Sequence, residues 1–275
     1  MSMKGETAII TGSTSGIGKK IAELFLREGC KVMICSRNEN NVKETVAGFQ
    51  KEFGDSVVGF PCDVSKVEDL KNIVDKTLEL FGSVRILVAN AGLNLTYGPF
   101  RYIPTEEIAS DSQVVTGANL IGMMNSVAAV LPHMINQGYG RIITLAGAGA
   151  GRPMPYMTIY SATKGGVLSF SKCFAEELKE MDSDIKINIF FPGMIETNLA
   201  KNSKIPAGWK KEEELRKESA LAHKYLGADI EKSCSKVIPY ALPTCKDNGK
   251  SFRGFSIVKM IRGGRKLQKA MKESK

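Results

Sequence analysis

The chain has 275 residues, 43% of them hydrophobic and 24% charged, a balance that suits one α/β domain and at most two, with no internal repeat or low-complexity tract. No apolar run reaches the roughly 18 residues of a membrane span, and Thr7-Ala8-Ile9-Ile10 is too short for a secretory leader. The six cysteines form no Cys-x-x-Cys pair, and His133 and His223 lack metal-ligand spacing, so the expectation is a soluble cytoplasmic protein with reduced thiols and no metal.

The predicted elements alternate strand and helix. Ala8 to Thr11 reads as a strand, followed by a helix over Ile17 to Glu28 with Ile17, Ile21, Leu24 and Phe25 on one stripe and Gly29 as its left-handed end. Lys31 to Ser36 is the second strand, Asn38 to Phe53 a helix, and Val57 to Cys62 the third strand. Ser65-Lys66-Val67-Glu68 has the form of a capping box, opening a helix that buries Val67, Leu70, Ile73, Val74, Leu78 and Phe81. Arg85 to Ala89, Arg141 to Leu145 and Lys186 to Phe191 read as further strands, with helices over Gln113 to Met134 and Tyr160 to Met181, and Phe255 to Ile261 is a candidate last strand. This alternation predicts a doubly wound parallel sheet of Rossmann type, with ligands at the carboxyl ends of the strands. One domain spans 1–264, with a polar region at 194–227 placed to cover a substrate, and 265–275 is a basic tail.

The charge is uneven. Ten basic and two acidic residues lie from Lys246 to Lys275, so that stretch carries +8 of the net +9. It suits anionic lipid, an acidic protein or nucleic acid, or is simply a solvated tail.

The chemistry concentrates in four places. Gly12, Gly16 and Gly18 lie between a strand and a helix, where bare backbone and a helix N-terminus can hold a phosphate. At the end of the second strand, Cys35-Ser36-Arg37-Asn38 has no acid to bind a ribose 2′-hydroxyl, whereas Arg37 suits a 2′-phosphate; NADP(H) is therefore favoured over NAD(H). Asp63-Val64 can accept from an adenine amino group or start a helix, and Asn90-Ala91-Gly92 offers small residues beside a cofactor or a plain turn. Tyr160 and Lys164 share a helix face, so the ammonium is expected to lower the tyrosine pKa toward the range of acid–base work.

Together, over Glu6 to Thr197, these motifs resemble the short-chain dehydrogenase/reductase family. The resemblance implies that Gly12, Ser13, Ser15, Gly16, Ile17 and Gly18 bind the cofactor pyrophosphate end, with Arg37, Asp63 and Val64 at the adenosine end. It implies that Asn90, Ala91 and Gly92 support the cofactor, and that Pro192, Gly193, Ile195 and Thr197 approach its carboxamide. Tyr160 becomes the acid/base, Lys164 its ribose-binding partner, and Asn119 the holder of a relay water. A homodimer or homotetramer built on the long helices is implied in the same way. One element is missing: the family serine falls at Gly147 or at Ala146, thirteen or fourteen residues before Tyr160, and neither has a hydroxyl. Loss of such a donor costs on the order of 10²–10³ in rate. Tyr160 acts alone, or a backbone N–H, a water, Thr144 or Thr158 substitutes, or little chemistry occurs.

The reading is an NADP(H)-dependent oxidoreductase interconverting a ketone or aldehyde and an alcohol, with Met154, Tyr156, Met157, Met194 and Trp209 hinting at an apolar small-molecule substrate. Its rival is a cofactor-binding scaffold or sensor with little turnover. A peripheral membrane reductase of a lipid ketone ranks third, because the basic tail lacks a long amphipathic stripe. Nucleic-acid binding is not expected, since aromatic residues do not interleave with the charges.

Overall fold

In the computed structural model, which describes residues 3–147, 149–196 and 203–273, seven parallel strands form one sheet in the order β3-β2-β1-β4-β5-β6-β7. They are β1 (Thr7–Thr11), β2 (Lys31–Ser36), β3 (Val57–Pro61), β4 (Ile86–Ala89), β5 (Tyr139–Leu145), β6 (Asp184–Phe191) and β7 (Ser251–Arg253). The helices are α1 (Gly16–Arg27), α2 (Glu39–Phe53), α3 (Val67–Phe81), α4 (Thr105–Thr116), α5 (Gly122–Asn136), α6 (Thr158–Glu177), α7 (Glu212–Leu226), α8 (Ile230–Cys234), α9 (Ile238–Ala241) and α10 (Ile257–Glu273). Successive side chains of a strand serve opposite faces. Ala8 and Ile10 of β1 join Ile21, Leu24 and Phe25 of α1 on one side. Ile9 joins Ile73 and Val74 of α3 and Val127 and Val130 of α5 on the other. Burial on both faces explains the unbroken apolar runs of the strands.

The chain winds outward from β1 through β2 to β3, then returns to place β4 on the other flank of β1. That reversal opens a crevice beyond the carboxyl ends of β1 and β4, where ligands of such sheets bind.

Three expectations are corrected. Ser65 does not form a capping box. Its hydroxyl and N–H both donate to Asp63 Oδ1, at 2.7 and 3.0 Å. A charged acceptor two residues back outcompetes the helix end, α3 starts with Lys66 as its uncapped N-cap, and Val67 is left 41% exposed. The helix predicted from Gln113 instead begins at Thr105 and runs to Asn136, with a π-helical turn over Gly117–Ile121 between α4 and α5. The last strand is β7, not Phe255–Ile261. After Gly254 N–H bonds Phe191 O (2.8 Å), the Ser256 hydroxyl accepts from Lys259 N–H (3.4 Å) and the chain turns helical. Gly263 then lets α10 approach α7 so closely that a Cβ there would lie 2.1 Å from Tyr225 O. The supposed tail boundary at Gly264 falls inside this helix.

The far end of the sheet is tied by Arg141, which is fully buried at the start of β5. Its guanidinium donates to Asp184 Oδ2 (2.7 Å) and to the carbonyls of Gly140, Asp184, Leu242 and Pro243, and lies 4.4 Å from the Tyr139 ring centroid. Removing the guanidinium leaves the carbonyls of Gly140, Asp184, Leu242 and Pro243 without this donor, although the Asp184 carboxylate is itself 41% exposed. Arg141→Ala is expected to lower the unfolding free energy by about 3 kcal/mol or more, read from urea denaturation; a loss below about 1 kcal/mol would show that these bonds are not needed.

Candidate active site

The glycine loop leaves β1 and enters α1 with Gly12 and Gly16 at φ +64° and +53°, conformations that favour glycine. A Cβ on Gly12 would lie 2.9 Å from Ala91 Cα, and one on Gly18 would lie 2.4 Å from Asn90 Nδ2. The loop is thus packed onto the residues that follow β4. Asn90 Nδ2 donates to Thr11 O (2.8 Å) and Gly12 O (3.0 Å), while Thr11 Oγ1 accepts from Asn90 N–H and Ala91 N–H, both at 3.0 Å. Ser13 is buried; its hydroxyl donates to Ile10 O (2.6 Å) and accepts from Cys35 N–H (3.1 Å), so it shapes the loop from within the sheet. Ile17 turns its side chain to the core. Ser15 is the exposed N-cap of α1 and makes no capping bond, and the first turn of α1 carries no acid. Bare backbone and an uncapped helix N-terminus on this crevice fit a dinucleotide pyrophosphate.

Arg37 stands exposed just past β2, close enough to Asp63 to act on its charge. Burial alone would push the Asp63 carboxyl up; the two bonds from Ser65 and the charges of Arg37 and Lys66 outweigh it and hold the pKa down. Val64 is buried against Gly122, where a Cβ would lie 2.4 Å from Val64 Cγ2.

Tyr160, Lys164 and Asn119 are brought together as expected, all buried. The π turn, a deviation that often marks function, carries Asn119 inward. Its Oδ1 accepts from Leu93 N–H (2.7 Å), and its Nδ2 donates to Leu93 O (2.9 Å) and Thr163 Oγ1 (3.1 Å). Thr163 Oγ1 in turn donates to Tyr160 O (2.7 Å). Both amide donors are engaged, so the side chain of Asn119 is a brace between the β4 loop and α6 and holds no free N–H for a water. Lys164 Nζ donates to Leu145 O (2.9 Å) and lies 5.6 Å from the Tyr160 ring centroid. A Cβ on Gly92 would lie 3.1 Å from Asn119 Oδ1 and 3.6 Å from Lys164 Nζ.

The expected lowering of the tyrosine pKa is not seen. Burial pushes Tyr160 up to about 12, and it pushes Lys164 down to about 8. Desolvation disfavours the charged form of each group, and with the ammonium directed at a carbonyl, its charge does not offset the burial of the phenol.

The structure places one of the two positions left open for the absent serine against Tyr160. A Cβ on Gly147 would lie 2.9 Å from Tyr160 Oη, so residue 147 faces the hydroxyl. Thr144 cannot substitute there, because its hydroxyl is fully buried against Ser171 Oγ at 2.8 Å. Thr158 is exposed at the start of α6. Ser161, unflagged in the sequence, has a buried hydroxyl without a partner beside Gly149, at which a Cβ would lie 2.2 Å from its Oγ.

Past β6, Pro192 O accepts from Ser233 Oγ (2.7 Å), and a Cβ on Gly193, at φ +88°, would lie 2.9 Å from Phe255 Cδ1. Ile195 is partly buried, and Thr197 lies outside the described residues. Met194 bridges Gly227, and Ala228 N–H donates to Met194 O (2.8 Å), so segment 194–227 leaves and returns at one point. Its residue Lys204 bridges Thr96. Tyr156 and Trp209 meet at 4.8 Å between ring centroids, and Tyr97, missed in the sequence, lies within 6.0 Å of both. Tyr156 holds φ +71°, a conformation rare for an aromatic residue and a local strain beside the site. Met154 and Met157 are partly exposed on the same approach.

Residues 6–206 match the short chain dehydrogenase family, and the chain belongs to it. The Sus scrofa dehydrogenase/reductase SDR family member 4 is 34% identical over 198 residues, covering 72% of this chain and 68% of that protein. The chloroplastic chlorophyll(ide) b reductase NOL of Oryza sativa subsp. japonica is 36% identical over 197 residues, 70% of this chain and 56% of its own. Among solved structures, the 3-ketoacyl-(acyl-carrier-protein) reductase of Brucella melitensis, complexed with NADH, superposes with TM-score 0.77 at 27% identity, covering 92% and 97% of the two chains. Levodione reductase shares the fold, with TM-score 0.80 at 22% identity over 95% and 98%.

The depressed Lys164 pKa has a consequence for stability. Between about 8 and the ordinary lysine value of 10.5, the unfolded chain holds a proton that the folded chain has released, so stability rises with pH. Urea titrations across that window are expected to show the wild type gaining relative to Lys164→Met. A flat difference would mean that Lys164 keeps its proton when folded.

Proposed function

We propose that the protein uses NADP(H) to reduce a ketone or aldehyde, or to run the reverse reaction, with Tyr160 as proton donor. The observation that carries this reading is the buried Tyr160 hydroxyl, which burial keeps in the phenol form that can donate. A reduced nicotinamide held over the crevice would supply hydride to the carbonyl carbon. Tyr160 protonates the oxygen. Lys164, anchored on Leu145 O, places positive charge beneath the ring and stabilises phenolate as it forms. Asn119 and Thr163 fix α6, so the hydroxyl stays in place. In the oxidative direction Tyr160 must first lose its proton, so alcohol oxidation is favoured by alkaline pH.

Two features support the finer choices. Arg37 offers a guanidinium at the end of β2 where no acid stands, which favours the 2′-phosphate of NADP(H). The rings of Tyr97, Tyr156 and Trp209 support an apolar substrate beside them. Arg37→Asp is expected to shift the ratio of kcat/KM for NADPH over NADH toward NADH by about tenfold or more; an unchanged ratio would remove Arg37 from cofactor choice.

A second reading, a cofactor-binding scaffold with little turnover, is favoured by the bare Gly147 opposite Tyr160. NADPH oxidation against a panel of ketones and aldehydes separates the two. Turnover that falls by about 10²–10⁴ in Tyr160→Phe is expected, whereas NADPH binding without turnover on any substrate would establish the scaffold.

The role of position 147 needs a pair of variants. Gly147→Ala adds only the crowding Cβ, and Gly147→Ser adds the same carbon with a donor. The alanine variant is expected to slow turnover, with the serine variant faster than it by about tenfold or more. Equal rates would show that the reaction proceeds without a donor from residue 147.

A further inference from the structure

We infer that α10 is a docking helix for a bilayer surface containing anionic lipid, and that it sets the mouth of the crevice against that surface. The first turn of this helix has a strand-like composition, and the structure joins it to the basic segment as one continuous helix. In the fold, Met260, Gly263, Leu267 and Ala270 face inward, and Gly263 seats the helix on the Tyr225 carbonyl. The outward face begins with Ile257, Val258 and Ile261, which are 46%, 57% and 54% exposed. Arg262, Arg265, Lys266, Lys269 and Lys272 continue along it, all exposed. The one acid among the described residues of α10 is Glu273 at its end, 3.9 Å from Lys269.

An exposed apolar turn followed by a basic face matches the layering of an anionic bilayer, with acyl boundary beside phosphate headgroups. The charge is also local, because residues 246–275 hold nearly all of the net +9. Nucleic acid would be met by the cations alone, without calling for three exposed aliphatic side chains.

Position connects the surface to the site. Phe255, two residues before α10, packs on Gly193, and Arg152 Nη2 lies 3.9 Å from Met260 Sδ. The helix therefore starts between the segments that follow β5 and β6, on the rim of the crevice. An apolar substrate dissolved in the bilayer would reach that rim without crossing bulk water.

Co-sedimentation of the full chain with vesicles tests this. Vesicles of phosphatidylcholine with about one-third phosphatidylserine should bind it, phosphatidylcholine alone should not, and salt raised to about 0.5 M should weaken the binding. The variant Arg262→Gln/Arg265→Gln/Lys266→Gln/Lys269→Gln should partition roughly 100-fold less, and Ile257→Ser/Val258→Ser/Ile261→Ser about tenfold less, each with an unchanged thermal midpoint. No binding of the wild type to the anionic vesicles overturns the inference. So does binding that ignores the serine substitutions, which would mark α10 as a general polyanion site. The lipid and salt comparisons use only the wild type, so they stand even if a variant fails to fold.

Discussion

At the reversal of the sheet, the side-chain amide of Asn90 donates to the carbonyls of Thr11 and Gly12, while the Thr11 hydroxyl accepts from the main chain of Asn90 and Ala91. These four bonds join two loops whose strands belong to different halves of the fold. The glycine loop can lie this close to β4 only because Gly12 and Gly18 have no Cβ to meet Asn90 and Ala91. The crevice, the orientation of α1 and the approach of any phosphate to bare backbone all follow from that contact.

The second constraint is burial around α6. Desolvation acts on both members of the Tyr160–Lys164 pair and drives each toward its neutral form. At neutral pH the pair is therefore a phenol held rigidly beside an ammonium whose hold on its proton is weakened. That rigidity comes from Leu145 O, Thr163 and Asn119. It leaves little room opposite the hydroxyl, where the main chain at Gly147 comes close enough to crowd any added side chain. Position 147 carries no donor, and a side chain added there would press on the Tyr160 hydroxyl.

The approach to the site is built from segments distant in sequence. Bridges at Met194–Gly227 and Thr96–Lys204 hold the described residues 203–227 near the carboxyl ends of the strands, and the strained Tyr156 meets Trp209 there. Strain of this kind persists only where surrounding contacts impose it. Arg141 sits at the opposite end of β5, so this polar anchor of the sheet is remote from the candidate site. Stability and the candidate reaction thus draw on different ends of the same strands.

Much of the architecture was legible in the residues themselves. Continuous apolar runs marked buried parallel strands, and glycines at +53° to +86° marked loop and helix ends, because these signals depend on neighbours in sequence. The pairing of Tyr160 with Lys164 was legible for the same reason, through helical spacing. The capping box at Ser65 failed because Asp63 competed locally for its hydroxyl, and the last strand failed because Ile257, Val258 and Ile261 suit either a strand or an exposed helical turn. By itself, then, the sequence determined the class of fold, the place of the glycine loop and the pairing of Tyr160 with Lys164 on one helix face. Only the tertiary structure decided that Gly147 faces Tyr160, that burial outweighs the lysine's charge, and that Tyr97 joins Trp209. Each of these depends on distance and desolvation between segments far apart in the chain, which spacing along it does not encode.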